Sequence, residues 1–239
     1  AELSAAELPQ LYLWDPAAFK DKQNGLTLYR GILIGVSALL ALFLTVVFVV
    51  KGALIFPAAA ALAWSVLAYA VIDFGSLSRI FGLPAEAIGV YRAAAEAVLA
   101  ATLLVFLFAY LHLNRWRIRY IHISLIWVLF LGGMIGLAVV NPALAAGIAR
   151  ISIGAVAGIG LLLVLFLAAH GYDRAVMLIP TWILLSVWVV AAALTAAGNI
   201  SNELVAPALI GGLVLVVLLI GFTVMQHAFA TDGGADSLI

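Results

Sequence analysis

Residues 26–50 read LTLYRGILIGVSALLALFLTVVFVV, a run in which Arg30 is the only charged side chain. A helix of about 20 mostly apolar residues crosses a hydrocarbon core of about 30 Å, so this run is long enough to span a bilayer. Six more runs of the same character follow, at about 53–72, 90–113, 120–140, 147–169, 175–197 and 204–228. In lipid, an open segment can satisfy its backbone donors and acceptors only as a helix. The expected fold is therefore an all-α integral membrane protein, a bundle of seven transmembrane helices.

Composition excludes the main alternatives. The chain is 67% hydrophobic and 9% charged, whereas about a quarter of the residues in a soluble domain carry charge. Eleven basic residues balance eleven acidic ones, so no positive surplus exists for nucleic acid. With no cysteine, disulfides and thiolate metal sites are excluded. The sequence opens at Ala1 with no basic-then-apolar signal segment, which reads as a processed or excised chain.

Three parts are expected. Residues 1–25 form a polar leader, in which Leu11-Tyr12-Leu13-Trp14 suits a short strand ending at Asp15-Pro16. Residues 26–229 form the membrane domain, and 230–239 a cytoplasmic tail whose Thr231-Asp232-Gly233-Gly234 suits a flexible tether. Gly75, Gly82 and Pro84 break the connection between the second and third spans, and Asn141-Pro142 marks the end of the fourth.

Basic residues in short loops stay on the cytoplasmic side. Lys51, Arg115, Arg117, Arg119 and Arg174 fall on one side; Lys20, Lys22, Arg30, Arg79, Arg92 and Arg150 fall on the other, over much more chain. Their number decides nothing, but the density of the Arg115–Arg119 cluster places the first side in the cytoplasm. The amino terminus is then outside and the carboxyl terminus inside.

Glu96 is the acidic residue set clearly within a span, one helical turn beyond Arg92. Intramembrane ionisable groups are functional candidates, and two readings stand. In one, Arg92 and Glu96 neutralise each other near the outer interface. In the other, Tyr69, Asp73, Tyr91 and Arg30 join them in a polar ligand pocket open to the outside. His112, His122, His170 and His227 gather near the inner ends of spans, but none has the paired spacing of a helical zinc site, so no metal is expected. Gly31 and Gly35, Gly132 and Gly136, and Gly154 and Gly158 have the spacing that lets helices approach closely. They are expected in helix packing, with a homodimer through transmembrane helices as the second use. Trp64, Trp127, Trp182 and Trp188 are expected to fill the core rather than line a chromophore pocket.

No catalytic motif or phosphate loop is present. Retinal proteins need a lysine in the last span, and Lys20, Lys22 and Lys51 all lie elsewhere. Eukaryotic-type receptors fit no better, because Asn141-Pro142 is not in the seventh span.

Leu11-Tyr12-Leu13-Trp14-Asp15-Pro16-Ala17-Ala18-Phe19, followed by Leu28-Tyr29-Arg30-Gly31-Ile32-Leu33-Ile34-Gly35, resembles the membrane region of the bacterial seven-transmembrane receptors with diverse intracellular signalling modules. The likeness extends as a hydropathy and loop pattern over about residues 8–230, including the Asp73-Phe74-Gly75 exit of span two and the Leu111–Arg115 exit of span three. The resemblance implies an inner-membrane sensor with a periplasmic sensing domain before span one. After span seven it implies an output module such as a diguanylate cyclase, phosphodiesterase or histidine kinase. No cofactor and no catalysis are expected within this chain, with membrane lipids and an extracytoplasmic ligand as partners. The rival reading is a small-molecule transporter using Arg92, Glu96 and Asp73; the chain has no evident inverted repeat to support it.

Overall fold

The computed structural model describes residues 16–51, 55–111, 120–198 and 204–233. These residues form helices only: α1 (Pro16–Lys51), α2 (Ile55–Asp73), α3 (Ser76–Phe81), α4 (Ala85–Tyr110), α5 (Tyr120–Val140), α6 (Pro142–Ala169), α7 (Asp173–Ala196) and α8 (Val205–Gly233). Counting described residues only, six of the long helices, α1, α2, α4, α6, α7 and α8, are long and apolar enough to cross a membrane. The remaining long helix, α5, is 21 residues and apolar along most of its length. Large apolar side chains such as Leu39, Val49, Val139, Ile151, Leu162 and Phe222 stand on the outer surface of the bundle. A water-soluble monomer rarely exposes so much contiguous apolar area. The molecule is a multi-pass membrane protein.

Five helices close a ring in which α2 packs on α4, α4 on α6, α6 on α7, α7 on α8, and α8 back on α2. Helix α1 lies against both α2 and α8, and α5 against both α4 and α6. The ring buries Leu62, Val66, Phe106, Tyr110, Val164, Leu178, Trp182, Leu185 and Ile220. Ser37, Thr45, Thr102, Ser186, Thr195 and Thr223 return their hydroxyls to the carbonyl four residues earlier, which satisfies them where water is scarce. Ser65 of α2 and Thr102 of α4 also meet each other at 3.0 Å.

Helix ends explain most departures from the expected boundaries. The first helix is already helical at Pro16, the first described residue, and does not begin near Leu26. Its opening turns carry Lys20, Asp21, Gln23 and Asn24 on the exposed surface. At 36 residues it is about 54 Å long at 1.5 Å per residue. The connection after α2 contains α3, bounded by Gly75 at φ 68° and Gly82 at φ 60°, a left-handed backbone that favours glycine. Asn141-Pro142 is a helix start as well as a stop: the Asn141 side chain accepts the Leu144 N–H at 3.1 Å and Pro142 opens α6. A single residue therefore separates α5 from α6. The last helix continues through Thr231 and Asp232 to Gly233, so the described part of the expected tether is helical. The expected Leu11–Trp14 strand and the Arg115–Arg119 loop lie outside the described residues.

Candidate functional site

Four charged side chains from three helices form one ion-paired chain at the end of the bundle where α2 finishes and α4 and α6 begin. Asp73, the last residue of α2, accepts from Nη2 of Arg92 on α4 at 2.8 Å. One turn deeper on α4, Glu96 lies 3.6 Å from Arg92 Nε, an electrostatic contact longer than a hydrogen bond. The close partner of Glu96 is Arg150 of α6. Arg150 Nε donates to Oε2 and Nη2 to Oε1, both at 3.0 Å. Tyr69 of α2, one turn before Asp73, turns its hydroxyl toward the Arg92 guanidinium.

Burial is unequal along this chain. The Glu96 side chain is 4% exposed and Asp73 10%, against 46% for Arg92 and 52% for Arg150. A carboxylate that deep is tolerable only when paired, and the planar guanidinium fork of Arg150 meets both of its oxygens at once. The carboxylates are therefore inside and the guanidiniums outside. Small neighbours make this possible: Ala93 and Ala97 of α4 pack with Ala145 and Ala149 of α6 and with Met134 and Ala138 of α5.

Of the six residues proposed for an outer pocket, the structure brings Tyr69, Asp73, Arg92 and Glu96 together, while Arg30 and Tyr91 stand apart from the ion pairs. The Arg30 guanidinium of α1 sits over the Phe74 ring, 5.6 Å from its centroid, and its Nε is buried without a hydrogen-bond partner among the described residues. Tyr91 is exposed and takes no part in these pairs. Arg150 is the member missing from the sequence reading, where it served only as a basic residue near a span end. Its signal was its position: it lies two turns inside an otherwise apolar helix, as Glu96 lies three turns inside another.

The glycines with four-residue spacing do not make the close contacts. A Cβ on Gly31, Gly35, Gly132, Gly136 or Gly158 would meet nothing within 4 Å, and one on Gly154 would make an ordinary contact with Val189. The first five face outward, because spacing along a helix does not specify which side meets a neighbour. Three other glycines are the docking points. A Cβ on Gly160 of α6 would collide with the indole of buried Trp182, which also stacks on Phe106 at 6.5 Å. On α8, a Cβ at Gly211 would lie 2.5 Å from the Tyr29 hydroxyl of α1, and one at Gly212 would lie 3.0 Å from Trp188 of α7.

The other tryptophans tie helices together as well as filling space. Trp64 donates to Thr45 of α1 at 3.0 Å, Trp127 to the Ala101 carbonyl of α4 at 3.0 Å, and Trp188 to the Leu209 carbonyl of α8 at 2.6 Å. His170 is occupied locally, with Nδ1 2.8 Å from the Phe166 carbonyl; the side chains of His112, His122 and His227 lie outside the described set. Among the described residues no three His, Cys, Asp or Glu side chains could together hold a metal ion.

These features define a multi-pass helical membrane protein with an ion-paired cluster across three helices at one end. Comparison with protein-family models, with curated proteins and with solved structures gives no match.

Proposed function

We propose that this chain is the seven-span membrane part of a bacterial inner-membrane receptor, relaying an extracytoplasmic signal through α8 to a cytoplasmic output module. The observation that carries this reading is the ion-paired chain Asp73–Arg92–Glu96–Arg150. It joins α2, α4 and α6 at the end that basic-residue density assigns to the outside. The same chain supports seven crossings: α4 and α6 meet near their amino-terminal ends, and α5, about 31 Å long at 1.5 Å per residue, is long enough to return the chain across a bilayer. A receptor needs two helix packings whose balance a ligand shifts, and a polar ligand competing for Arg92 or Arg150 would loosen α2 from α4 or α4 from α6.

A route to the inner side exists in the packing. Helix α2 touches α8 directly, and α8 is notched at Gly211 and Gly212 by Tyr29 and Trp188. A shift of about 1–2 Å is usual for switching at helix interfaces, and α8 extends as one helix from Val205 to Gly233, able to carry such a shift past its apolar part.

The test is a cyclase reporter fused after Ile239 in a protein that retains any preceding sensing module. Inserting one alanine after Gln226 rotates the remainder of α8 and the reporter by about 100° and is expected to change output, as is Glu96→Gln. Output indifferent to both, together with solute uptake by vesicles carrying the bundle alone, would favour the carrier reading instead.

A further inference from the structure

We infer that the outer face of this cluster binds an oxoanion, a phosphate or carboxylate group, between Arg92 and Arg150. The inference rests on the receptor reading only in calling the bound group a signal; the site itself is argued from geometry. Both guanidiniums approach the same oxygen, Glu96 Oε1, at 3.6 Å from Arg92 and 3.0 Å from Arg150. Two cations on different helices are therefore held side by side. The charges that neutralise them, Asp73 and Glu96, are buried beneath, while each arginine is about half exposed. A molecule arriving from outside meets the guanidinium layer first.

Donors remain for it. Arg150 engages Glu96 through Nε and Nη2, and Arg92 engages Asp73 through Nη2, which leaves the Nη1 groups outside the ion pairs. Guanidinium donors in a fixed plane suit the paired oxygens of a carboxylate or phosphate. Arg30, over the ring of Phe74, the residue after Asp73, is a further cation at this end. Arg150 lies only about two turns after the start of α6, and long basic side chains near helix ends turn their charged heads toward the interface. The oxoanion can thus come from a lipid headgroup or from a free solute.

The test uses the full chain in neutral detergent, heated in sodium phosphate or in sodium chloride of equal ionic strength and pH. In parallel it is heated in nanodiscs of phosphatidylcholine with or without phosphatidylglycerol. The expected result is a saturable rise in unfolding temperature with inorganic phosphate, with phosphatidylglycerol, or with both. A rise confined to phosphatidylglycerol identifies lipid as the source, and one confined to phosphate identifies a solute. Glu96→Gln combined with Arg150→Gln, which leaves net charge unchanged, is expected to abolish the rise. Arg79→Gln, an exposed cation of α3, is expected to keep it. Should the double variant not fold, Arg150→Lys retains the charge without the fork and is expected to weaken the effect about tenfold. No rise with either source overturns the site, as does a rise that survives the Arg150 variants or is lost in Arg79→Gln. No output module is involved, so failure here leaves the relay experiment standing, and a silent reporter leaves this one standing.

Discussion

The two sides of the helix ring are joined by different chemistry. Where α2, α4 and α6 meet, the contact is a relay of charges in which Glu96 answers to arginines on two helices. Where α6 meets α7, and where α1 and α7 meet α8, the contact is an aromatic ring pressed against a glycine: Trp182 on Gly160, Tyr29 on Gly211, Trp188 on Gly212. The first kind can exchange partners at little steric cost, because a guanidinium can leave one carboxylate oxygen for another anion. The second kind tolerates almost no displacement, because interiors pack at crystal-like density. The two sides therefore differ in how readily their contacts can rearrange: the charged side can change partners, and the aromatic side cannot shift without a clash.

The largest effect is expected on the aromatic side. Gly160→Ala places a methyl group against Trp182, which is fully buried and stacked on Phe106. Overpacking of this kind costs about 1–3 kcal/mol. Trp182→Phe removes the indole edge that the new methyl meets, so Gly160→Ala should do less harm in that background. Thermal unfolding in detergent of the two single variants and the double variant reads the coupling. Strictly additive losses would mean that this joint is not sterically tight.

A smaller loss is expected from the charged side. Removing one member of a fully buried ion pair costs about 3–5 kcal/mol, but Arg150 is half exposed, which reduces this to about 1–2 kcal/mol. Arg150→Gln alone should therefore destabilise more than Arg150→Gln with Glu96→Gln. Coupling of Glu96 to Arg150 should exceed its coupling to Arg92, in keeping with 3.0 Å against 3.6 Å. A cycle that couples Glu96 more strongly to Arg92 would reverse the assignment of its principal partner.

The smallest effect is expected at the outward glycines. Gly35→Ala meets no atom within 4 Å and replaces glycine with the best helix former, so its stability should change by no more than about 0.5 kcal/mol. A large loss would indicate that this surface of α1 is covered by another copy in the detergent particle.

These contrasts also mark how far the sequence could be read. Apolar length alone located every long helix among the described residues, and the expected end of the fourth run at Val140 agreed, since burying a backbone in lipid leaves little choice of structure. Polar turns at helix ends escaped the reading: Pro16 to Gly25 continues α1 although its side chains are hydrophilic, because hydropathy marks the membrane and not the end of the helix. Glu96 was recognisable as a charge set deep in a span, but its main partner was not, because Arg150 lies 54 residues away and only packing of α4 on α6 joins them. Glycine spacing misled for a related reason. Gly31 and Gly35 share a helix face with each other, yet the face that meets α8 is the one carrying Tyr29 and Leu33.

A relay from outside to inside requires seven crossings with the ion-paired cluster on the outer side. Single cysteines at positions 78, 117 and 201 of this cysteine-free chain, probed with an impermeant thiol reagent on intact cells or oriented vesicles, test both points together. Ser78→Cys and Ser201→Cys are expected to label from outside, and Arg117→Cys only after the membrane is opened. Labelling of position 117 from outside would invert the orientation, and protection of position 201 alongside labelling at 78 would remove one crossing between them.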